Sequence, residues 1–173
     1  HRDLHSFPTR RSSDLEPVNT CSLFSNFSLS RQANFTCKRN TMEITYKVGV
    51  MPLAEQVAQL YDKSEMPRPT KDKERIQKMF DNSNLVVTAW DNDKLVGVSR
   101  CITDWVWCCY LSDLAVDPGY KKSGIGRRLV ELTKKTLGEQ SMILLLSVPT
   151  AMEYYPKIGF TKEDRGFLIN RIK

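Results

Sequence analysis

The sequence predicts an α+β fold, a mixed sheet with helices packed on it, and three observations carry this. Strand-like alternation and helical spacing succeed one another in the order β-α-α-β-β-β-α-β-α-β from Glu43 onward. One strand pattern, Trp107–Val116, is stopped by Asp117-Pro118-Gly119 and feeds an amphipathic helix. A continuous apolar run, Met142–Val148, has the length of a buried strand and falls far short of the roughly 18–20 residues of a membrane helix.

Each element follows from local chemistry. Glu43–Val48 sets Ile44, Tyr46 and Val48 against Glu43, Thr45 and Lys47, a first strand. Pro52 opens a helix that carries Leu53, Val57, Leu60 and Tyr61 at helical spacing. Pro67 and Pro69 make Ser64–Thr70 a loop, and Lys71–Phe80 is a second helix with Asp72 and Glu74 near its start. Leu85–Trp90 and Leu95–Ile102 are strands joined by a turn at Asp91-Asn92-Asp93, and Asp104 marks the next turn. The helix from Gly124 places Ile125, Leu129, Val130, Leu132 and Leu137 on one broad face and stops at Gly138. Met142–Ser147 reads as a buried strand, Pro149 to Gly159 as a helix, and Phe167–Ile172 as the strand that closes the sheet.

The ends of the chain read differently. His1–Leu15 resembles the conceptual translation of a sequencing adapter, with a basic Ser-rich arm or transit peptide as the alternative. Glu16–Thr41 lacks periodicity and is read as a non-native or flexible extension. Residues 42–173 are then a single domain beginning at Met42. The net charge of +6 is shared between these parts. Six basic and three acidic residues precede Met42, which leaves 20 basic and 17 acidic in the domain. That near balance argues against a nucleic-acid-binding protein. Both histidines, His1 and His5, lie outside the domain, which removes Ser-His-Asp and Cys-His catalysis and nearly all zinc patterns. Cys101, Cys108 and Cys109 read as buried thiols of a reducing cytoplasm, with Cys108 and Cys109 on opposite faces of a strand.

Chemistry concentrates where the strand meets the helix at Gly124. The first N–H groups of a helix lack internal partners and carry partial positive charge. Gly124 and Gly126 let an anion approach the backbone, and Lys121, Lys122, Arg127 and Arg128 surround it with full charges. The residues alone leave two readings open, a phosphate cradle and a plain strand-to-helix turn. Neither a Walker A loop nor a Gly-x-Gly-x-x-Gly fingerprint is present.

Val116-Asp117-Pro118-Gly119-Tyr120-Lys121-Lys122-Ser123-Gly124-Ile125-Gly126 resembles the acetyl-CoA-binding motif of the GNAT superfamily of N-acetyltransferases, with Lys121 in place of the usual Arg or Gln. Ala151-Met152-Glu153-Tyr154-Tyr155-Pro156-Lys157-Ile158-Gly159-Phe160 resembles the family's second block, with Val148 where Asn is frequent. The likeness spans about Glu43 to Arg171 and points to a small bacterial-type acetyltransferase.

The resemblance implies acetyl-CoA as co-substrate, no metal, and direct transfer to a primary amine of a small molecule or protein. It implies a coenzyme site made of Leu114, Ala115 and Val116 main chain, which would pair the pantetheine arm and polarise the thioester carbonyl, and of Lys121, Lys122, Ser123, Gly124, Ile125, Gly126 and Arg127. It implies Tyr155 as the general acid for the departing thiolate, with Tyr154 as its neighbour. Asp113 is either the base or a structural carboxylate paired with Lys or Arg, and Glu153 and Asp104 are weaker candidates. Trp105, Trp107 and Arg68 are read as acceptor-pocket lining, or as core or rim. A cytoplasmic monomer or homodimer is expected, with no membrane and no nucleic-acid partner. The rival reading is a catalytically idle coenzyme-binding module on the same fold.

Overall fold

The structure, a computed structural model, describes residues 43–172. The readings of the chain up to Met42 lie outside the described residues. Five strands form one sheet in the order β1-β2-β3-β4-β5: β1 Ile44–Val48, β2 Leu85–Asp91, β3 Lys94–Thr103, β4 Cys108–Val116 and β5 Met142–Leu144. The first four are antiparallel neighbours and β5 runs parallel to β4. The mixed α+β class is as the sequence predicts.

Helices cover both faces. α1 Ala54–Lys63 and α2 Lys73–Asp81 pack Val57, Leu60, Tyr61, Ile76 and Phe80 against Val86, Val98 and Ala115 on one face. α3 Ile125–Leu137 packs Ile125, Leu129 and Val130 against Val87, Ala89 and Val96 on the other. Because both faces of β2 are covered, Leu85–Trp90 is buried without interruption rather than alternately. Each helix start has a local cause. Gln56 Oε1 accepts from Leu53 N–H at 3.2 Å before α1, and Asp72 Oδ1 accepts from Arg75 N–H at 2.9 Å before α2. The Asp72 cap starts α2 two residues later than its apolar pattern suggests.

Gly97 on β3 is where α3 comes closest to the sheet. A Cβ there would lie 2.9 Å from Ile125 Cγ2 and 3.1 Å from Leu129 Cδ1. The hydroxyls of Ser99 and Thr133 meet at 2.9 Å across the same interface. Together these contacts set the height of the first turn of α3 over the sheet.

The last third of the chain departs from expectation in three places. Met142–Ser147 forms a strand only over Met142–Leu144, and it is not buried, with Met142 56 % and Leu144 49 % exposed. It is the outermost strand, so only β4 flanks it. The expected helix from Pro149 to Gly159 is instead two 3-10 turns, Pro149–Ala151 and Tyr155–Ile158. Pro156 supplies no N–H and its ring crowds the preceding turn, which breaks the helix, and Gly159 ends the second turn at φ +97°. Phe167–Ile172 does not close the sheet. It forms no strand, and Phe167 and Ile169 are almost wholly exposed. Strand-like residues make a strand only against a partner edge, and no pairing reaches them. Finally, Cys101 and Cys109 are buried free thiols, but Cys108 faces out, beside Asp104.

Candidate active site

The cleft begins where two strands part. β3 accompanies β4 as far as Val116, but β5 pairs with it only from Cys108 to Tyr110. Among the described residues no strand covers the other edge of β4 from Leu111 to Val116. Half of the main-chain N–H and C=O groups on that stretch point away from β3. A cleft of about 810 Å³ opens there, with Leu111, Leu114 and Val116 on one side and Leu145, Leu146 and Val148 on the other. The Ala115 side chain points to the opposite face, into the α1–α2 core, so only its main chain belongs to the cleft strand.

At the end of β4 the chain turns sharply into α3. Asp117 Oδ1 accepts from Gly119 N–H at 2.9 Å, and its other oxygen pairs with Lys94 at 2.9 Å and with Lys63 at 3.7 Å. Burial alone would raise this carboxyl's pKa, but Lys94 and the Gly119 N–H bring it below its ordinary value. Lys122 and Gly124 adopt left-handed φ values of +67° and +80°. The first intrahelical bond runs from Arg128 N–H to Gly124 C=O at 3.0 Å. The N–H groups of Ile125, Gly126 and Arg127 therefore lie ahead of the helical ladder.

Lys121, Lys122, Gly124, Ile125, Gly126 and Arg127 all line the cleft. Lys121 and Lys122 have no ion pair among the described residues, whereas Arg127 and Arg128 share Glu131 at 3.1 and 3.3 Å. Ser123 turns its hydroxyl back onto the Tyr120 carbonyl. A terminus of this kind, with flanking cations, suits a phosphate-bearing ligand.

Two tyrosines stand on the facing wall. Tyr154 and Tyr155 meet edge to face at 5.6 Å, and Tyr155 packs on Phe160 in the same manner at 5.6 Å. Both line the cleft, and neither hydroxyl has a hydrogen-bond partner among the described residues. Tyr154 reaches the α3 terminus, so close that a Cβ on Gly126 would lie 2.6 Å from its Oη. Burial raises both phenols above the ordinary 10.0, opposed at Tyr154 by Arg127 and reinforced at Tyr155 by Tyr154. Tyr155 therefore stays protonated at neutral pH.

Asp113 sits on β4 with its side chain on the α1–α2 face, 1 % exposed. Tyr61 Oη donates to Oδ2 at 2.8 Å, Arg100 Nε donates to Oδ2 at 2.5 Å, and Arg68 Nε donates to Oδ1 at 2.7 Å. Both carboxylate oxygens are thus engaged by cations or a phenol. Burial, and then the Asp113 charge, push the Tyr61 phenol well up, so it remains a donor. Of the two readings the sequence left open for Asp113, this environment is that of the structural carboxylate. Arg68 lines the cleft and also donates to the Ser112 and Pro67 carbonyls, which ties the α1–α2 loop to β4.

Asp104 is a turn residue outside the cleft. Its Oδ1 accepts from the N–H groups of Val106, Trp107 and Cys108, and these bonds hold its pKa down at about 2. Trp105 and Trp107 stand exposed on that turn rather than in the cleft, and Glu153 is exposed and does not line it.

The Acetyltransferase (GNAT) family matches residues 54–160, which include the cleft loop, α3 and both tyrosines. The chain belongs to this family. An uncharacterized ycf52-like N-acetyltransferase of Prochlorococcus marinus is 31 % identical over 98 residues, 53 % of this chain and 54 % of that protein. Histone acetyltransferase TAP1 of Glycine max is 30 % identical over 78 residues, 44 % of this chain and 34 % of its own length. The chain thus matches about half or less of these curated relatives. A probable acetyltransferase from Staphylococcus aureus has the same architecture, with a TM-score of 0.63 and 26 % identity, over 73 % of this chain and 100 % of that one. These relatives and neighbours are named acetyltransferases.

Against this GNAT framework, the structure brings the sequence-predicted loop, the β4 edge and Tyr155 to one cleft. One contact and one residue escaped the sequence reading. The contact of Tyr154 with Gly126 depends on the 3-10 turn that replaces the expected helix. Glu65 lines the cleft from the α1–α2 loop, and its only sequence signal was its place just after a helix. Among the described residues no helix is long and apolar enough to cross a membrane, and no three His, Cys, Asp or Glu side chains are grouped to hold a metal.

Proposed function

We infer that this protein is an acetyl-CoA-dependent N-acetyltransferase that moves an acetyl group directly to a primary amine. The observation that carries the reading is the parting of β4 from β5 at the N-terminus of α3, with Tyr155 on the facing wall. The cleft suits the coenzyme on two counts. Gly126 keeps the backbone open where a Cβ would crowd Tyr154, and the edge of β4 presents unmatched main-chain groups to an amide-rich arm. Acetyl-CoA, when bound, supplies the acetyl group as a thioester.

The chain's own residues then have distinct tasks. The N–H groups of Ile125, Gly126 and Arg127, with Lys121 and Lys122, hold the pyrophosphate. Leu114–Val116 align the pantetheine arm, and a main-chain N–H there polarises the thioester carbonyl. The amine nitrogen forms its bond to the carbonyl carbon as the C–S bond breaks. Tyr155 Oη donates the proton that the departing sulfur takes up and regains one from solvent, into which the proton lost by the amine passes. Asp113 takes no part as a base in this account, since its lone pairs are committed to Arg68, Arg100 and Tyr61. The free thiols suit a reducing compartment such as the cytoplasm.

The test is release of free thiol from acetyl-CoA by the full chain across a panel of primary amines. Amine-dependent release is expected with at least one class. Binding of acetyl-CoA with no release across the panel would instead favour an idle coenzyme-binding module.

A further inference from the structure

Charge in the cleft is unevenly placed. Lys121, Lys122 and Arg127 gather at the α3 end. The α1–α2 loop is tied by Arg68 to Ser112, four residues back along β4, which is about 13 Å at strand rise. Arg68 contributes no free cation there, because Asp113 holds its guanidinium. Beside it stands Glu65, the one carboxylate among the described residues that line the cleft. Its side chain makes no ion pair and accepts no hydrogen bond from any described residue.

The backbone at Glu65 makes its presence more telling. It lies just past α1 at φ +55°, in the left-handed region where glycine or asparagine is favoured. The Glu65 N–H donates to Asp62 C=O at 3.2 Å and the Met66 N–H to Tyr61 C=O at 3.0 Å, so the turn is closed and the residue fixed. A side chain with a Cβ and a charge at such a position runs against local preference, and such conflicts concentrate at functional sites. Glu65 is exposed between the polar Ser64 and the apolar Met66 and Pro67 of the same loop, and Leu145, Leu146 and Val148 give the cleft an apolar wall.

We propose that Glu65 is the recognition residue for the acceptor, its carboxylate pairing with the ammonium of a primary amine carried on an apolar stem. The proposal rests on the acetyl-transfer reading for its biological meaning, but not for its test. Pairing with Glu65 draws in a cationic acceptor in preference to a neutral or anionic one of the same shape. The apolar walls take the stem, and the ammonium gives up its proton to solvent before the nitrogen reacts.

The experiment uses the full chain saturated with CoA, titrated in a calorimeter with hexylamine, 1-hexanol and hexanoate. Wild type is expected to bind hexylamine about two- to fivefold more tightly than the other two, the scale of one accessible ion pair. Glu65→Gln should abolish that preference while leaving CoA affinity unchanged. Glu65→Gly should abolish it as well, with an equal or higher Tm because it relieves the left-handed backbone. A Glu65→Gln protein that binds hexylamine as tightly as wild type, or a wild type that shows no preference, overturns the proposal. Thiol release from acetyl-CoA with hexylamine separates the two readings. Glu65-dependent binding without release in the presence of hexylamine or any amine of the panel keeps the inference and removes acetyl transfer. Release that Glu65→Gln leaves unaltered in kcat/KM keeps acetyl transfer and removes the inference.

Discussion

One wall of the cleft, β4 with the first turn of α3, is held by pairing with β3 along its length, a buried ion-pair hub at Asp113 and close packing at Gly97. The other wall, Leu145 to Ile158, hangs from a three-residue strand and two 3-10 turns, and much of its apolar surface is exposed. The contrast separates two jobs. The first wall carries the groups whose positions must be fixed, namely the strand edge and the helix N-terminus. The second wall carries the tyrosines and apolar side chains that line the cleft. Leu145 and Ile158 also pack against the core, while Leu146, Val148 and Met152 stand exposed.

The largest expected effect breaks the rigid wall. Asp113→Ala strips the partner from Arg100, whose side chain is 6 % exposed, and from Arg68. A loss of about 3–5 kcal/mol in chemical denaturation is expected. A loss below about 1 kcal/mol would mean that the hub does not hold this wall. Gly97→Val comes next. Its side chain would push into Ile125 and Leu129, with an expected cost of about 1–3 kcal/mol, and because α3 would be lifted, weaker acetyl-CoA binding should accompany it. Unchanged stability and affinity would separate α3 placement from this contact.

Tyr155→Phe probes the other wall, where chemistry and not stability should respond. The ring and its edge-to-face packing remain, so Tm should hardly move. A positioned acid contributes typically about 10²–10⁴-fold, so kcat should fall at least about tenfold. The pH profile carries a sign. The acid must be protonated, and burial raises its pKa above 10.0, so wild-type kcat should lose this group only at pH above the ordinary tyrosine value. A mutant with wild-type kcat, measured where chemistry limits the rate, would remove Tyr155 from the reaction, and a loss in Tyr154→Phe instead would reassign the acid. The smallest effect is expected at Ile169, 97 % exposed beyond the second wall. Ile169→Ser should stay within about 0.5 kcal/mol of wild type. A larger loss would show that Phe167–Ile172 packs after all and would weaken the contrast between the walls.

The sequence was most legible where causes are local. Alternation over Ile44–Val48, helical spacing over Ala54–Lys63, and the Asp117-Pro118-Gly119 stop each act within a few residues, and the first four strands and three helices lie close to where they were expected. The apolar run after Met142 misled because leucines facing a ligand cleft read like leucines facing a core. Phe167–Ile172 misled because pairing depends on a partner edge that propensity cannot supply. Asp113 stayed ambiguous because its partners, Tyr61 and Arg68, are 52 and 45 residues away in the chain. The strand-to-helix turn at Gly124 was legible through its glycines, and its reading as a coenzyme loop came from the family resemblance. Glu65 was hidden, because left-handed backbone at a glutamate leaves no mark on composition or periodicity.

The central claim is that the first turn of α3, opened by Gly126, is where acetyl-CoA is held. It is tested most directly by calorimetric titration of acetyl-CoA into the full chain and into Gly126→Glu. The new side chain would meet the far end of Tyr154, which can swing aside, so the mutant should keep a cooperative melt near that of wild type. Wild type should bind at a single saturable site that weakens with added salt. The mutant, with a carboxylate across the helix N–H groups, should give no measurable heat of binding. A folded Gly126→Glu protein that binds acetyl-CoA as tightly as wild type would contradict the account.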